Sequence, residues 1–386
     1  MSAHGFLPRT QKFLLPVLAA ALMAVLAACS SSELPADSSS INPTVARPGG
    51  PLLDVVDATG WINTEPISIQ QLASEQKVVL VDFWTYTCVN CVRTFPFLQD
   101  WHEKYADRGL VILGVHAPEF AFEEEYENVL RATEQHNITW PVVMDNNFRT
   151  WERFGNRFWP AKYLVGTDGK LRYTHFGEGR YVETEEMIRE ALVEAGHDVS
   201  DIAVGEVERP PIDPEANRLT REIYGGYVRS YSPGGEYAGQ DEYYNGPDRT
   251  EEYNGEGIRY SPNYFYLHGL WRNESEAIVH ARNTEDYEDY LALRFTARSV
   301  NVVMDPQGPE SFDVVVEIDD RPLTPEEAGA DIWFDDQGRS MFTVTMGDLY
   351  RLVELPVFGE HVLKLRTNSD SFAVFAFTFG NYQSGL

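Results

Sequence analysis

Apolar and polar positions divide the chain into stretches of different character. Residues 13–28, FLLPVLAAALMAVLAA, form an apolar run preceded by Arg9 and Lys12 without an acid, too short and wrongly flanked for a comfortable membrane-spanning helix. The following SSSELPADSSSINPTVARPGG is rich in Ser, Pro and Gly, has no apolar period and predicts a flexible tether. Further on, KVVLVDFW (77–84) reads as a buried parallel strand, and VRTFPFLQDWHEKYADRG places Phe95, Leu98, Trp101 and Tyr105 at helical spacing. A second strand, GLVILGVH, follows. Beyond the acidic, Pro-containing GEVERPPIDPEANRLT the pattern changes to short alternating runs: LALRFTARSVNVVM, FDVVVEI, MFTVTM, HVLKLRT and SFAVFAFTFG, broken by Gly, Pro, Asn and Asp. No repeat period or long helix appears there, so the tail predicts an antiparallel, jelly-roll-like β-sandwich.

Charge narrows the partners. The net charge of −29 becomes −31 if residues 1–28, with Arg9 and Lys12, are removed as an export signal. Such a surface repels nucleic acid and anionic membranes, so nucleic-acid partners are not expected.

Three cysteines carry the candidate chemistry. Cys29 ends the apolar run, whereas Cys88 and Cys91 stand in WTYTCVNCVRTFPF, between the predicted strand and helix. One pair is too few for a disulfide-stapled scaffold. A structural zinc site normally takes four Cys or His ligands, and the nine histidines show no His-x-x-x-His or Cys-x-x-His companion, so no metal is expected. At a helix N-terminus, unpaired N–H groups would favour the Cys88 thiolate as nucleophile, while Cys91, one turn further in, would be shielded and suited to resolving a mixed disulfide. Closing so short a ring does little for stability, which makes redox exchange the better use.

These residues resemble the thioredoxin superfamily. Asp82, six residues before Cys88, matches its buried acid and proton acceptor, Trp84 the tryptophan of the active-site loop, and Pro96 the proline that kinks the first helix. RFWPAKYLVGTDGKLRYTHFGEG resembles its cis-proline loop and hairpin, with Pro160 the candidate cis-proline; Trp84, Trp159 and Pro160 would then bind substrate. The insertion FAFEEEYENVLRATEQHNITWPVVMDNN resembles those of the TlpA-like and peroxiredoxin-like branches; in the TlpA-like branch a Glu just past the second strand lies near the cysteines, and Glu119 in GVHAPEF matches it. Surface exposure is the plain alternative for Glu119 and Asp82, and ordinary trans geometry for Pro160. DFWTYTCVNCVRTFPFL, GVHAPEFAFE, DNNFRTWERFGNRFWPAKYLV and HFGEG resemble the C-terminal region of DipZ-type proteins, where a small sandwich likened to carbohydrate-binding modules follows. Leu26-Ala27-Ala28-Cys29 resembles a bacterial lipobox, which would make Cys29 the lipidated residue.

The resulting map is a signal peptide at 1–28, a tether at 29–50, an α/β thioredoxin-like domain with a mixed sheet flanked by helices at 51–197, a linker at 198–222, and an all-β sandwich at 223–386. It implies a lipid-anchored, extracytoplasmic thiol-disulfide oxidoreductase of the periplasm or cell surface, reducing protein disulfides. Catalysis would rest on Cys88, Cys91, Asp82 and Glu119, with no cofactor beyond the redox-active Cys88–Cys91 disulfide. Disulfide-containing envelope proteins are the expected substrates, and a separate membrane electron donor of the CcdA or DsbD type replaces the membrane domain of DipZ-type proteins. A peroxidase-like redoxin using Thr85, a metallochaperone, and an envelope glycan-binding lipoprotein are the rival readings. For the last, Trp271 or the Tyr243–Tyr244 pair could offer sugar-stacking faces, or serve only as core and loop aromatics. An independent sandwich predicts few contacts across the linker.

Overall fold

The computed structural model describes residues 52–205, 211–213, 216–230, 246–308 and 310–382. The first part is built on six strands: β1 (Gly60–Ile62), β2 (Val78–Trp84), β3 (Leu110–His116), β4 (Val142–Met144), β5 (Ala161–Val165) and β6 (Leu171–Phe176). They lie in the order β1-β4-β3-β2-β5-β6. Strands β2, β3 and β4 run parallel, while β1, β5 and β6 join antiparallel. Helices α1 (Ile69–Ser74), α2 (Val89–Val92), α3 (Phe95–Tyr105), α4 (Tyr126–Gln135), α5 (Arg149–Phe154) and α6 (Tyr181–Glu194) accompany this sheet. Every residue of β2 is buried, because both sheet faces are covered, which is why its sequence is a continuous apolar run rather than an alternation. One face packs Val78, Leu80 and Trp84 with α3 and α6; the other packs Val79, Val81 and Phe83 with Phe154.

The second part is all-β. Its strands are β7 (Ile223–Tyr224), β8 (Thr250–Tyr253), β9 (Phe265–Asn273), β10 (Ile278–His280), β11 (Asp289–Met304), β12 (Phe312–Ile318), β13 (Arg321–Pro322), β14 (Trp333–Phe334), β15 (Ser340–Val344), β16 (Asp348–Thr367) and β17 (Ala373–Gly380), with one helical turn, α7 (Tyr227–Ser230). All their pairings are antiparallel. The long β11 and β16 pair along most of their length, with register shifts at Ala297/Ser299 and Val300/Asn301. Near its start β11 pairs with β9, and near its end with β17, so one strand serves two parts of the sandwich around a shared core.

Of the two readings open for Trp271, the structure selects the core aromatic. Trp271 is fully buried, donates its indole N–H to the His268 carbonyl at 2.8 Å and packs edge-on against Phe372, so it is a core residue with no face for a sugar. The Tyr243–Tyr244 pair lies outside the described residues, as do the export run and Cys29. The segment joining the two parts is also more engaged than a loose tether. Arg189 binds the carbonyls of Val199 and Ile202 on one side. On the other, the Asp213 N–H donates to the Asn381 carbonyl, and Thr220 exchanges two hydrogen bonds with Thr296.

Contacts between the two parts are extensive. Phe120 and Phe122, from the loop after β3, pack on Ala277, Val279, Val303, Ala373, Phe375 and Ala376 of the sandwich. This explains β17, whose AVFAFTFG is buried throughout: one face fills the sandwich core and the other meets the thioredoxin-like part. No helix among the described residues is long and apolar enough to cross a membrane.

Candidate active site

Buried β2 delivers the chain through Thr85, Tyr86 and Thr87 to Cys88, the N-cap of α2. The Cys88 backbone is extended, and its sulfur accepts the Cys91 N–H at 3.3 Å, a donor it shares with the Cys88 carbonyl at 2.9 Å. Arg93 and Thr94 keep right-handed helical angles into α3, where Pro96 stands in the first turn and loses no helical hydrogen bond. Both cysteines are free; Cys88 is half-buried and Cys91 fully buried. Burial, and then the neighbouring Cys88, push the Cys91 thiol well above its ordinary value, with Asp82 acting in the same direction. An outer thiol able to attack thus stands beside an inner one that needs a proton acceptor.

Asp82 is buried in the middle of β2, and burial raises its carboxyl above the usual range. Opposite it across the β2–β5 ladder stands buried Lys162, whose Nζ lies 3.2 Å from Asp82 Oδ1, within ion-pair distance but misaligned for a hydrogen bond. Lys162 was not singled out in the sequence; a lysine inside the apolar run PAKYLV was the available sign, since a buried cation requires a partner. Trp84 is 1 % exposed, packs edge-on against Phe95 and His116, and lies so close to β3 that a Cβ at Gly114 would come within 2.9 Å of its Nε1. It therefore supports the loop from below and presents no face to a substrate, which corrects its assignment to binding. The Trp159–Pro160 bond is cis, and the Trp159 indole donates to the Ala117 carbonyl at 3.0 Å.

Glu119 is engaged by the second part of the chain. Its Oε1 accepts from Tyr224 Oη and from Arg229 Nη1, each at 2.8 Å, while Arg229 Nη2 donates to its carbonyl at 2.7 Å. Burial raises the Glu119 carboxyl, opposed by Arg229. Four residues on, fully buried Glu123 accepts the Thr87 hydroxyl at 2.6 Å, the Thr87 N–H at 3.3 Å and the Phe120 N–H at 3.1 Å, and also the Glu119 N–H. It ties the loop that carries Glu119 to the residue before Cys88. Burial and then Glu119 push Glu123 up to about 7. In the sequence FAFEEEYEN nothing separated Glu123 from its acidic neighbours, and Tyr224 and Arg229 lay a hundred residues from the motif.

Cys88, Glu119 and Trp159 line a cavity of about 380 Å³ together with Glu222, Tyr224 and Tyr382 from the second part. Thr85, the residue on which a peroxidase site would depend, is fully buried with its hydroxyl 3.3 Å from His116 Nε2. His116 is itself driven down to about 3 by burial. Among the described residues, no group of three or more His, Cys, Asp or Glu side chains could hold a metal ion.

Residues 55–174 match the AhpC/TSA family, and residues 220–380 match the thioredoxin-like C-terminal domain family. Protein DipZ of Mycobacterium tuberculosis is 35% identical over 261 residues, which cover 66% of this chain and 35% of that protein. The chain thus spans about a third of the length of that relative. The thiol-disulfide oxidoreductase YkuV of Bacillus subtilis is 26% identical over 37% of this chain and 95% of its own. A solved thioredoxin-like protein in its oxidized form is 24% identical, with a TM-score of 0.33, over 37% of this chain and 95% of its own. The chain thus joins a stretch that matches the AhpC/TSA redoxin family, on a thioredoxin-like fold, to one that matches the thioredoxin-like C-terminal domain family.

Proposed function

We propose that the protein is an extracytoplasmic thiol-disulfide oxidoreductase that reduces protein disulfides with Cys88 and Cys91. The observation that carries this reading is the asymmetry of the pair: half-buried Cys88 receives a helix N–H and opens on a cavity, while Cys91 is sealed. Cys88 thiolate attacks one sulfur of the substrate disulfide, breaks that bond and releases the other substrate sulfur as thiolate. Asp82 takes the proton of Cys91, which attacks Cys88 and frees the second substrate thiol. The substrate gains two electrons, and the protein is left with a Cys88–Cys91 disulfide. A membrane thiol donor of the CcdA or DsbD type would restore the dithiol. Export rests on the basic-then-apolar residues 1–28, and anchoring on lipidation of Cys29 in its lipobox-like setting.

Cys88→Ser is expected to abolish disulfide reduction, and Cys91→Ser to trap a mixed disulfide with substrate. Wild-type turnover in both variants would overturn the reading. A redox titration of the purified chain would set the direction, on a scale from about −270 mV for thioredoxin to about −120 mV for a strong oxidant.

A further inference from the structure

We propose that the C-terminal domain forms one wall of the reactive cavity, so that Cys88 is offered to disulfides carried on slender, extended peptide segments and withheld from disulfides held on a folded surface. This rests on the proposed dithiol chemistry and names its substrate class. On one side of the cavity stand Cys88 and Trp159; on the other stand Glu222, Tyr224, Thr378 and Tyr382.

The wall is fixed on both sides of the thiol. Toward the loop after β3, Tyr224 binds Glu119 at 2.8 Å and Arg229 grips the same residue twice. On the α2 side, Tyr382 donates its hydroxyl to Glu178, while the Arg93 guanidinium lies 4.9 Å from the Tyr382 ring centre. A Cβ at Gly380 would clash with Ser299 Oγ and sit 2.8 Å from Arg93 Nη2, so the end of β17 packs closely between β11 and Arg93. Beneath these polar clamps, Phe120 and Phe122 are locked against Phe375 by edge-on contacts at 5.2 and 5.0 Å. A domain anchored by both an apolar seam and partly buried hydrogen bonds is part of the site rather than a tethered neighbour.

Size then selects the occupant. A volume of about 380 Å³ lies in the range of small-ligand pockets, enough for the side chains and backbone of a few residues. Attack on a disulfide requires the substrate sulfur to reach Cys88 in line with its S–S bond, and the convex face of a folded domain would meet the 219–224 segment and the end of β17 first. An extended segment can enter between the domains and place its sulfur against Cys88.

The test uses the full mature chain, reduced and freed of reductant, and follows oxidation of the Cys88–Cys91 pair in a single turnover. Three oxidants are compared: hydroxyethyl disulfide, two short unstructured peptides joined by one disulfide, and a small stable protein with a solvent-exposed native disulfide. The peptide disulfide is expected to react at least about a hundredfold faster than the folded one, the scale on which misplacement costs rate. Glu222→Trp and Thr378→Trp fill the cavity from the far wall, and each is expected to lower the ratio of peptide to hydroxyethyl rates by about tenfold or more. Thermal melting reports whether either variant is folded, and Glu222→Trp, on the more open position, stands in if Thr378→Trp is not. Equal rates for the peptide and folded disulfides, or an unchanged ratio in a folded variant, would overturn the wall while leaving the reductase reading intact. Failure of all three disulfides to oxidise the pair would overturn both.

Discussion

The two cysteines, one helical turn apart, face environments of different origin. Cys91 is sealed within the redoxin domain, where Asp82 and Lys162 come from adjacent strands, β2 and β5, and stand directly opposite each other. Cys88 opens on a cavity whose far wall belongs to a second domain, and the loop beside it is held by Tyr224 and Arg229. The difference separates two tasks. Proton management at the inner thiol is internal to the redoxin fold, whereas access to the outer thiol is decided by how the sandwich docks. The two sides should therefore fail differently when perturbed.

The largest effect is expected at the inner thiol. Asp82→Asn should slow resolution of the mixed disulfide by about 10²–10⁴-fold, the usual contribution of a positioned general base, while initial attack by Cys88 stays near wild type. Burial raises Asp82 and the resolving step needs its ionised form, so the wild-type rate should climb as pH rises through that elevated value. Lys162→Met removes the group that opposes the rise and should move the same limb to higher pH. Rapid-quench measurement of mixed-disulfide decay against pH reads both, and an unchanged profile in Asp82→Asn would remove Asp82 from the mechanism.

What could be read from the sequence follows the same division. The strand-turn-helix around Cys88 and the acid at Asp82 sit at fixed short separations, because a strand and the helix after it are joined by a turn of set length, whereas Pro160, far along the chain, was legible only through the family resemblance. Lys162 escaped because it is a cross-strand partner, determined by ladder register rather than by spacing along one strand. Glu119 was found by its place after β3, but its partners were not, since contacts across a hundred residues leave no periodic trace. The two-sided burial of β17 was legible in principle: AVFAFTFG lacks the polar alternation of a strand with one solvated face. Trp271 was open to two readings, a sugar-stacking face or a core aromatic, which residue type alone does not separate; its complete burial selects the core.

On the side of the outer thiol, the next largest effect concerns Glu123, which links Thr87 to the Glu119 loop. Its carboxyl is raised from an ordinary 4.5 to about 7, so the folded protein holds this proton to higher pH than the unfolded chain does. The associated stability is fully present below about 4.5 and is lost as pH rises through about 7, a change on the order of 3 kcal/mol. Urea unfolding from pH 4 to 8 should show this decline, and Glu123→Gln should flatten it. A slope unaltered by the substitution would break the link between this acid and the Cys88 loop. Arg229→Gln should cost less, about 2 kcal/mol, by withdrawing two hydrogen bonds from Glu119 at a partly exposed cation. Because Arg229 is what opposes the rise of Glu119, its loss should also move Glu119 further up, which carboxylate carbon shifts measured against pH would detect.

The smallest effect is expected from one oxygen atom, and it examines the junction most finely. Tyr224 Oη lies 2.8 Å from Glu119 Oε1 and 2.9 Å from Glu222 Oε2, yet a phenol has a single proton to donate. Both contacts are hydrogen bonds only if one carboxyl is protonated and donates to the tyrosine oxygen. Glu222 fits that role: although the residue as a whole is exposed, desolvation of its carboxyl in the cavity wall and then the charge of Glu119 push it up to about 8, whereas Glu119 has Arg229 to hold its charge. The proton order then runs from Glu222 to Tyr224 and from Tyr224 to Glu119. Tyr224→Phe keeps the ring on Phe120 but removes both bonds, and should cost about 1 kcal/mol at pH 6, where Glu222 is protonated. Above pH 8 the wild type should lose the donation from Glu222 as that group ionises, so the gap between wild type and Tyr224→Phe should narrow. A gap that stays constant from pH 6 to 9 in paired urea titrations would place the proton elsewhere and leave Tyr224 as a packing contact alone.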